Sequence, residues 1–337
     1  MNNPQIISTD LDLVAEETTE ETTDTEDTSE LRDWTVPIDL HGQRLDRALA
    51  VMVPEFSRSY LQQLIEEGAV TLAGVVQGKP SQKVKAGERG QVLLRPTPQS
   101  QAFKPETMDL DVVFEDEHLR IVNKPAGLVV HPAPGNWQGT LLNGLLGRDP
   151  QAAQLPRAGI VHRLDKDTSG LMVVARTRQT MEALVRLIAA REVSRQYLAV
   201  AQGAWVGSRH KLVDAPIGRD PRNRLRMAVV DLTQHPGKTA QTEFDVIQRN
   251  EEACLLRCTL HTGRTHQIRV HAAHLGHPLV GDTLYGGNTR LPRQALHAQR
   301  LAFKHPATGQ DLVFTAPPPA DLTALMASQG LSYTSPT

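Results

Sequence analysis

The stretch "HRLDKDTSG", His162 to Gly170, places two carboxylates among an imidazole, a guanidinium and an ammonium within nine residues. "GIV" before it and "GLMVVA" after it read as short strands, so Asp165 falls on a loop at the edge of a sheet. Asp167, Thr168, Ser169 and Gly170 are turn formers, and Asp167 is the one whose short side chain suits bonding the backbone two residues on. A loop anchored on a rigid sheet is a common place for a catalytic group, and a neighbouring guanidinium favours the ionised form of Asp165. The plainer alternative is a turn aspartate with a surface ion pair.

Three further stretches carry candidate chemistry. In "LHTGRTHQIRVHAAHLGHPLVGDTLYGG" (Leu260 to Gly287), Thr262 or Gly263 is read as the start of a helix whose free N–H groups suit a phosphate. Ile268, Ala272 and Leu275 form its core face, and Arg269 can emerge near Thr265. Its histidines at 266, 271 and 274 are spaced by five and three, which does not place them on one face as a metal-binding pair four apart would be. In "SRQYLAVAQG" a strand carries Tyr197 on the face opposite Leu198: a core tyrosine, or a ring that stacks on a base. In "NKPAGLVVHP" a turn at Pro125 to Gly127 leads into a short apolar strand, with Lys124 and His131 either flanking a site or decorating a hairpin.

The elements that must position these groups are mostly strands: "DVVFED", "LRIVNKPAGLVV", "GLMVVART", "REVSRQYLAVAQG", "KTAQTEFDVIQRN", "EACLLRCTLHTG", "RLAFKHP" and "DLVFTAP". "TRQTMEALVRLIAAR" shows a helical stripe of Met181, Leu184, Val185, Leu187 and Ile188. Strands joined directly to strands, with few helices, imply an α+β domain around a largely antiparallel mixed sheet. A smaller module precedes it. Leu45, Leu49, Ala50 and Val53 fit one helical face and Leu61, Leu64 and Ile65 another, with Ser57 as cap and Gly68 as stop. Short strands follow, with turn signals at Gly87 and Gly90. Arg44, Arg47 and Arg58 stud the helices, and Lys79, Lys83, Lys85 and Arg89 the strand region. The expected division is an acidic disordered tail over 1–36, a small module over 37–97, a linker over 98–108, the large domain over 109–318 and a loose tail over 319–337.

Charge separates along the chain. Residues 1–33 hold eleven acidic residues and one basic one, a net of −10, which leaves +8 on the remainder. A basic body points to a polyanionic partner; the tail is poor in apolar residues and is expected to be disordered. No apolar run approaches the roughly 20 residues of a membrane span, and the first residues lack a basic signal-peptide start. The chain is therefore read as cytoplasmic. Cys254 and Cys258, four apart on a strand, are read as buried structural thiols.

Taken together, "NKPAGLVVHP", "GIVHRLDKDTSGLMVVA", "SRQYLAVAQG" and "LHTGRTHQIRVHAAHLGHPLVGDTLYG", in this order, resemble the pseudouridine synthases of the RluA type. The module before them is similar to an S4 RNA-binding domain. One departure is "TLAG", where Ala73 stands in a turn that often carries Asn-Gly. The resemblance spans about residues 37–318, and the whole arrangement is most similar to the branch acting on large-subunit ribosomal RNA. It implies an S4-type module followed by a pseudouridine synthase catalytic domain, and an isomerase that turns uridine into pseudouridine, here in 23S ribosomal RNA. By resemblance Asp165 is the essential aspartate, nucleophile or base in detaching uracil from ribose C1′. Arg269 is its salt-bridge partner, Arg163 fills the gap left by the flipped uridine, and Tyr197 stacks on the flipped base. Arg44, Arg58, Lys83 and Lys85 are the expected RNA contacts of the small module. Bond breaking and making balance, so no redox cofactor or ATP is expected; the histidine spacing leaves no metal expected, and the chain is expected to act as a monomer off the membrane. The rival readings are a catalytically silent RNA-binding protein or chaperone and a metal-dependent hydrolase built on the histidines.

Overall fold

The computed structural model describes residues 29–54, 56, 58–95, 102–133 and 135–334. They form two compact units that divide between Ala102 and Phe103. The first has strand β1 (Glu30–Thr35), helices α1 (Leu45–Met52) and α2 (Arg58–Glu66), and strands β2 (Val70–Leu72), β3 (Val75–Gln77) and β4 (Arg89–Leu94). The strands pair antiparallel in the order β1-β4-β2-β3. Leu45, Leu49, Leu61, Leu64 and Ile65, the stripes expected from spacing, share one core with Val70, Val92 and Trp34.

The expected boundary of the acidic tail needs correction. Most of it lies outside the described residues, but Glu30–Thr35 is a strand on β4, not disordered chain. The reason is Trp34. Its ring is buried over Gly90, where a Cβ would meet it at 2.3 Å. Gly90 therefore sits within β4 beneath this ring rather than at a turn. The expected cap Ser57 lies outside the described residues.

The second unit is built on a nine-stranded sheet. Its main path runs β5 (Val112–Glu115), β6 (Leu119–Lys124), β7 (Ser169–Ala175), β14 (Leu296–Lys304), β8 (Ser194–Gln202), β13 (Ala253–Leu260), β12 (Gln241–Arg249) and β9 (His210–Asp214), with β15 (Asp311–Thr315) on β14. A separate hairpin pairs β10 (Ile217–Arg219) with β11 (Met227–Val229). Every pairing in the large sheet is antiparallel except β7 with β14. The architecture is thus the α+β arrangement around a largely antiparallel mixed sheet that the strand pattern implied.

Alternation along the strands makes two cores. On one face Met172, Val174, Tyr197, Ala199, Cys254, Leu256 and Cys258 pack with α3 (Leu141–Arg148) and with Ile268 and Ala272 of α5 (Gln267–His274). On the other, Leu171, Val173 and Ala175 meet Leu184 of α4 (Arg178–Ala189), while Leu198, Val200 and Leu255 meet α6 (Ala320–Ser328). β7 is buried along its whole length, which is why "LMVVA" (Leu171 to Ala175) reads as an unbroken apolar run. Cys254 and Cys258 are both fully buried free thiols.

Four local expectations are replaced. "GIV" forms no strand, only a bridge from Ile160 to Val174. "GLVV" also stays irregular, and its carbonyls at Val129 and Val130 accept from the first turn of α3. Part of the expected linker is folded onto the second unit: the Glu106 carboxylate accepts from Gly139 N–H, and Asn143 Nδ2 donates to Lys104 O. The expected loose tail from residue 319 begins with α6, whose Leu322, Leu325 and Met326 are buried, as is Leu331 beyond it. Burial of apolar side chains at helical spacing outweighs the chain-end entropy there.

Candidate active site

Asp165 lies between the Ile160 bridge and β7. Leu164 is buried in the site-face core, which turns the next side chain outward. The loop is held mainly through its carbonyls. Lys124, at the end of β6, is fully buried, and its Nζ donates to Pro125 O, Leu128 O and Lys166 O, each at 2.8 Å. Burial pushes the Lys124 ammonium down to about 7, against the pull of Asp165 and Asp167. Arg293 Nη1 donates to Asp167 O at 3.1 Å, and Thr168 N–H closes a turn on Asp165 O. The Asp167 carboxylate, expected to shape this turn, makes no hydrogen bond among the described residues. The loop ends at Gly170, with φ of +116° and its Cα so near β14 that a Cβ would stand 2.2 Å from Ala298 O. Only glycine fits both demands.

The Asp165 side chain is 18% exposed, and its Oδ2 accepts from Arg269 Nη1 at 3.0 Å. Arg269 comes from α5, across the site. Its Nε and Nη2 are clamped on Asp282 at 2.7 and 3.0 Å, and its guanidinium lies 5.1 Å from the Tyr285 ring centroid. One arginine thus spans two carboxylates, with a bidentate grip on the one that orients it. His266 stands beside the pair, its Nε2 3.9 Å from Asp165 Oδ2 and its Nδ1 2.8 Å from Tyr285 Oη. Burial by itself raises the Asp165 carboxyl; His266, Arg269 and Arg163 together outweigh it and hold the group below the usual carboxylate range. The result is a sheltered carboxylate that stays ionised.

Tyr197 of β8 is buried on the same face. Burial, with the Asp165 charge, pushes its hydroxyl up to about 12 despite the opposing charge of Arg195. The ring is therefore neutral across the physiological range. Arg163 is exposed at the mouth of the loop, where its charge reaches both Asp165 and His131. His131 is pushed down to about 4, first by burial and then by Arg163 and Arg157.

The expected helix start at Thr262 or Gly263 does not occur. α5 begins at Gln267, after His266 in a left-handed conformation (φ 55°). Gln267 folds back instead, its Oε1 accepting from Thr262 Oγ1 and Arg264 N–H. Those amides therefore do not form the phosphate cradle expected of a helix N-terminus. His271 is wholly buried against Thr242 Oγ1 and Ala215 O, a structural role.

In the first unit, Arg44 and Arg58 both ion-pair with Asp46, at 3.0 and 2.7 Å, and Gln62 donates to the same carboxylate. Asp46 is wholly buried, yet these donors outweigh burial and hold it well below the usual range. Lys83 and Lys85 are exposed on either side of the buried Val84, and Lys83 bridges to Arg44 through the backbone.

The sequence brought Asp165, Arg269 and Tyr197 forward, and all three meet in one site. Asp282, Tyr285, His266 and the anchoring role of Lys124 were missed. Asp282 and Tyr285 lay in plain view in "GDTLYG", but nothing in their spacing tied them to Arg269. Asp46, two residues from Arg44, was equally visible.

Two family descriptions match: "S4 domain" over residues 43–89 and "RNA pseudouridylate synthase" over residues 118–274. Over 309 residues the chain is 50% identical to the ribosomal large subunit pseudouridine synthase D of Neisseria meningitidis serogroup A, covering 87% of this chain and 80% of that protein. With the protein of the same name from Escherichia coli the identity is 46%, over 85% of this chain and 90% of that one. Among solved structures, human RNA pseudouridylate synthase domain containing 1 superposes with a TM-score of 0.51 at 26% identity, over 64% of this chain and 86% of that one. With an S4 domain ahead of its large sheet, this chain belongs to the RNA pseudouridylate synthase family.

Proposed function

We propose that the protein isomerises specific uridines of large-subunit (23S) ribosomal RNA to pseudouridine. The observation that carries the assignment is a sheltered Asp165 carboxylate, kept ionised by an arginine that Asp282 orients, with Tyr197 in the same pocket. Supporting it is the similarity to proteins named as large-subunit ribosomal pseudouridine synthases. The target uridine leaves its stack, at a cost of a few kcal/mol, and Arg163 takes the vacated place. Tyr197 stacks on the extruded base. Asp165, as nucleophile or base at the ribose, drives cleavage of the C1′–N1 bond. The uracil turns, C5 bonds to C1′, the C5 proton is lost and N1 gains one. Bonds made equal bonds broken, so the reaction needs no redox equivalent and no ATP. Arg44, Arg58, Lys83 and Lys85 form the RNA-facing cations of the S4 unit, and the enzyme works as a cytoplasmic monomer.

Pseudouridine mapping in large-subunit ribosomal RNA tests this, using cells with the gene, without it, and with Asp165→Asn in its place. One or more pseudouridines should disappear without the gene and stay absent with the variant, whose rate falls on the order of 10⁴-fold. An unchanged map sinks the proposal. RNA binding without any pseudouridine in the wild type favours a silent binding protein.

A further inference from the structure

Arg195 is a buried arginine that nothing among the described residues satisfies. It is 6% exposed, has no hydrogen-bond or ion-pair partner among the described residues, and its Nε is closed off from solvent without an acceptor. It lies on β8 two residues before Tyr197, hence on the same face of the strand. Room for it is made by Gly263: a Cβ there would stand 2.9 Å from Arg195 Nη1. A second orphan donor lies within reach of its charge. His162 Nε2 accepts from Val173 N–H at 3.0 Å, which leaves the proton on Nδ1, and Nδ1 is also closed off from solvent with no partner.

A buried, unpaired cation and a neighbouring unmatched N–H are costly to leave without acceptors, the cation more so than the neutral donor. Folds keep such groups where a ligand completes them. The ligand must bring acceptors, and its position can be read from the neighbours. The loop of Asp165 enters β7 at Ser169, level with His297 of β14 and Leu198 of β8, whereas Tyr197 is level with Ala298 and Arg195 with Leu301, farther from that loop. The order along the site face is therefore Asp165, Tyr197, Arg195. In a bound nucleotide the matching order is ribose C1′, the ring face, and the carbonyl edge of the base.

We propose that the Arg195 guanidinium, through its Nη groups, receives a carbonyl oxygen of the flipped uracil, a contact that rests on the reading of the site as a pseudouridine synthase. Its role is electrostatic. When C1′–N1 breaks, the electron pair stays with the uracil and spreads onto its two carbonyl oxygens. A fixed cation there stabilises the detached base until that pair forms the C1′–C5 bond. The base is held in the pocket while it turns, and Arg195 contributes to kcat more than to RNA affinity.

The test couples the residue to the atom. A synthetic fragment of large-subunit ribosomal RNA, spanning a uridine that the wild type converts, is prepared with 2-thiouridine or 4-thiouridine at the target, or with a methylphosphonate on either side of it. Arg195→Met should lower the single-turnover rate on uridine about 100-fold with RNA affinity nearly unchanged. The penalty that one thiocarbonyl imposes on the wild type should vanish in the variant. Arg195→Lys, which keeps the charge in the same space, should lie between the two and serves if the methionine variant does not fold. Additive penalties in every combination overturn the inference. Coupling to a methylphosphonate alone overturns it too, in favour of a backbone phosphate. If the wild type converts no uridine in any fragment, it is the assignment of the enzyme that fails, not the role of Arg195.

Discussion

Asp165 is kept ionised by a balance in which burial pulls one way and His266, Arg269 and Arg163 the other. Removing Arg269 leaves burial opposed by His266 and Arg163 alone, so the carboxyl must rise. For Arg269→Met the acid limb of the kcat/KM profile should move to higher pH than in the wild type, in addition to a lower plateau. An acid limb that stays in place would mean that Asp165 does not depend on this contact. Asp282 acts one step further out. Asp282→Ala leaves a buried guanidinium with half its partners, and should destabilise the fold by about 3–5 kcal/mol in chemical denaturation. Asp282→Asn keeps the shape of the clamp and should retain most of that stability while lowering kcat.

The large sheet is also tied by charged groups, and acid loosens such ties. Glu115 on β5 is held down to about 2, mainly by the hydrogen bond from Arg120, against burial and with help from Arg148 and Arg176. Its folded value lies below the ordinary 4.5, so its contribution is complete above that pH and is lost as pH falls toward 2. The size is roughly 3 kcal/mol. Glu115→Gln should be less stable than the wild type by about this amount at neutral pH, and the two should converge in acid. Parallel curves would mean that the pair adds nothing. In the S4 unit, the two-residue turn between β2 and β3 puts Ala73 at φ 50° and Gly74 at φ 75°. Such a turn favours Asn-Gly, and a left-handed alanine costs about 1 kcal/mol. Ala73→Asn should return about that much in a denaturant titration.

Across the whole molecule the charge is divided, with −10 on residues 1–33 and +8 on the rest. RNA binding by such a body releases counterions and weakens linearly with the logarithm of salt concentration. Lys83→Ala and Lys85→Ala should each reduce that slope by about 1 with the fold intact, since both side chains are exposed. Arg44→Ala is a different experiment: it also strips a partner from the buried Asp46 and should cost stability as well as affinity. No helix among the described residues is long and apolar enough to cross a membrane.

Spacing in the sequence was enough for the elements with strong periodicity: the stripes of α1, α2 and α4, the unbroken run of β7, and β8 with Tyr197 facing away from Leu198. These depend on which side chains share a face, a property of neighbours in the chain. The motifs also marked Asp165 and Arg269, because their residue types resemble those of a known family. What the sequence could not supply was partnership across distance. Arg269 meets Asp165 from 104 residues away and is steered by Asp282; Lys124 reaches Lys166 across the sheet. Glu30–Thr35 is a strand because Trp34 finds a glycine in β4, and α6 is ordered because a sheet face lay open to it. In each case the deciding energy is burial or ion pairing between groups far apart in the chain, and only the tertiary structure says which groups those are.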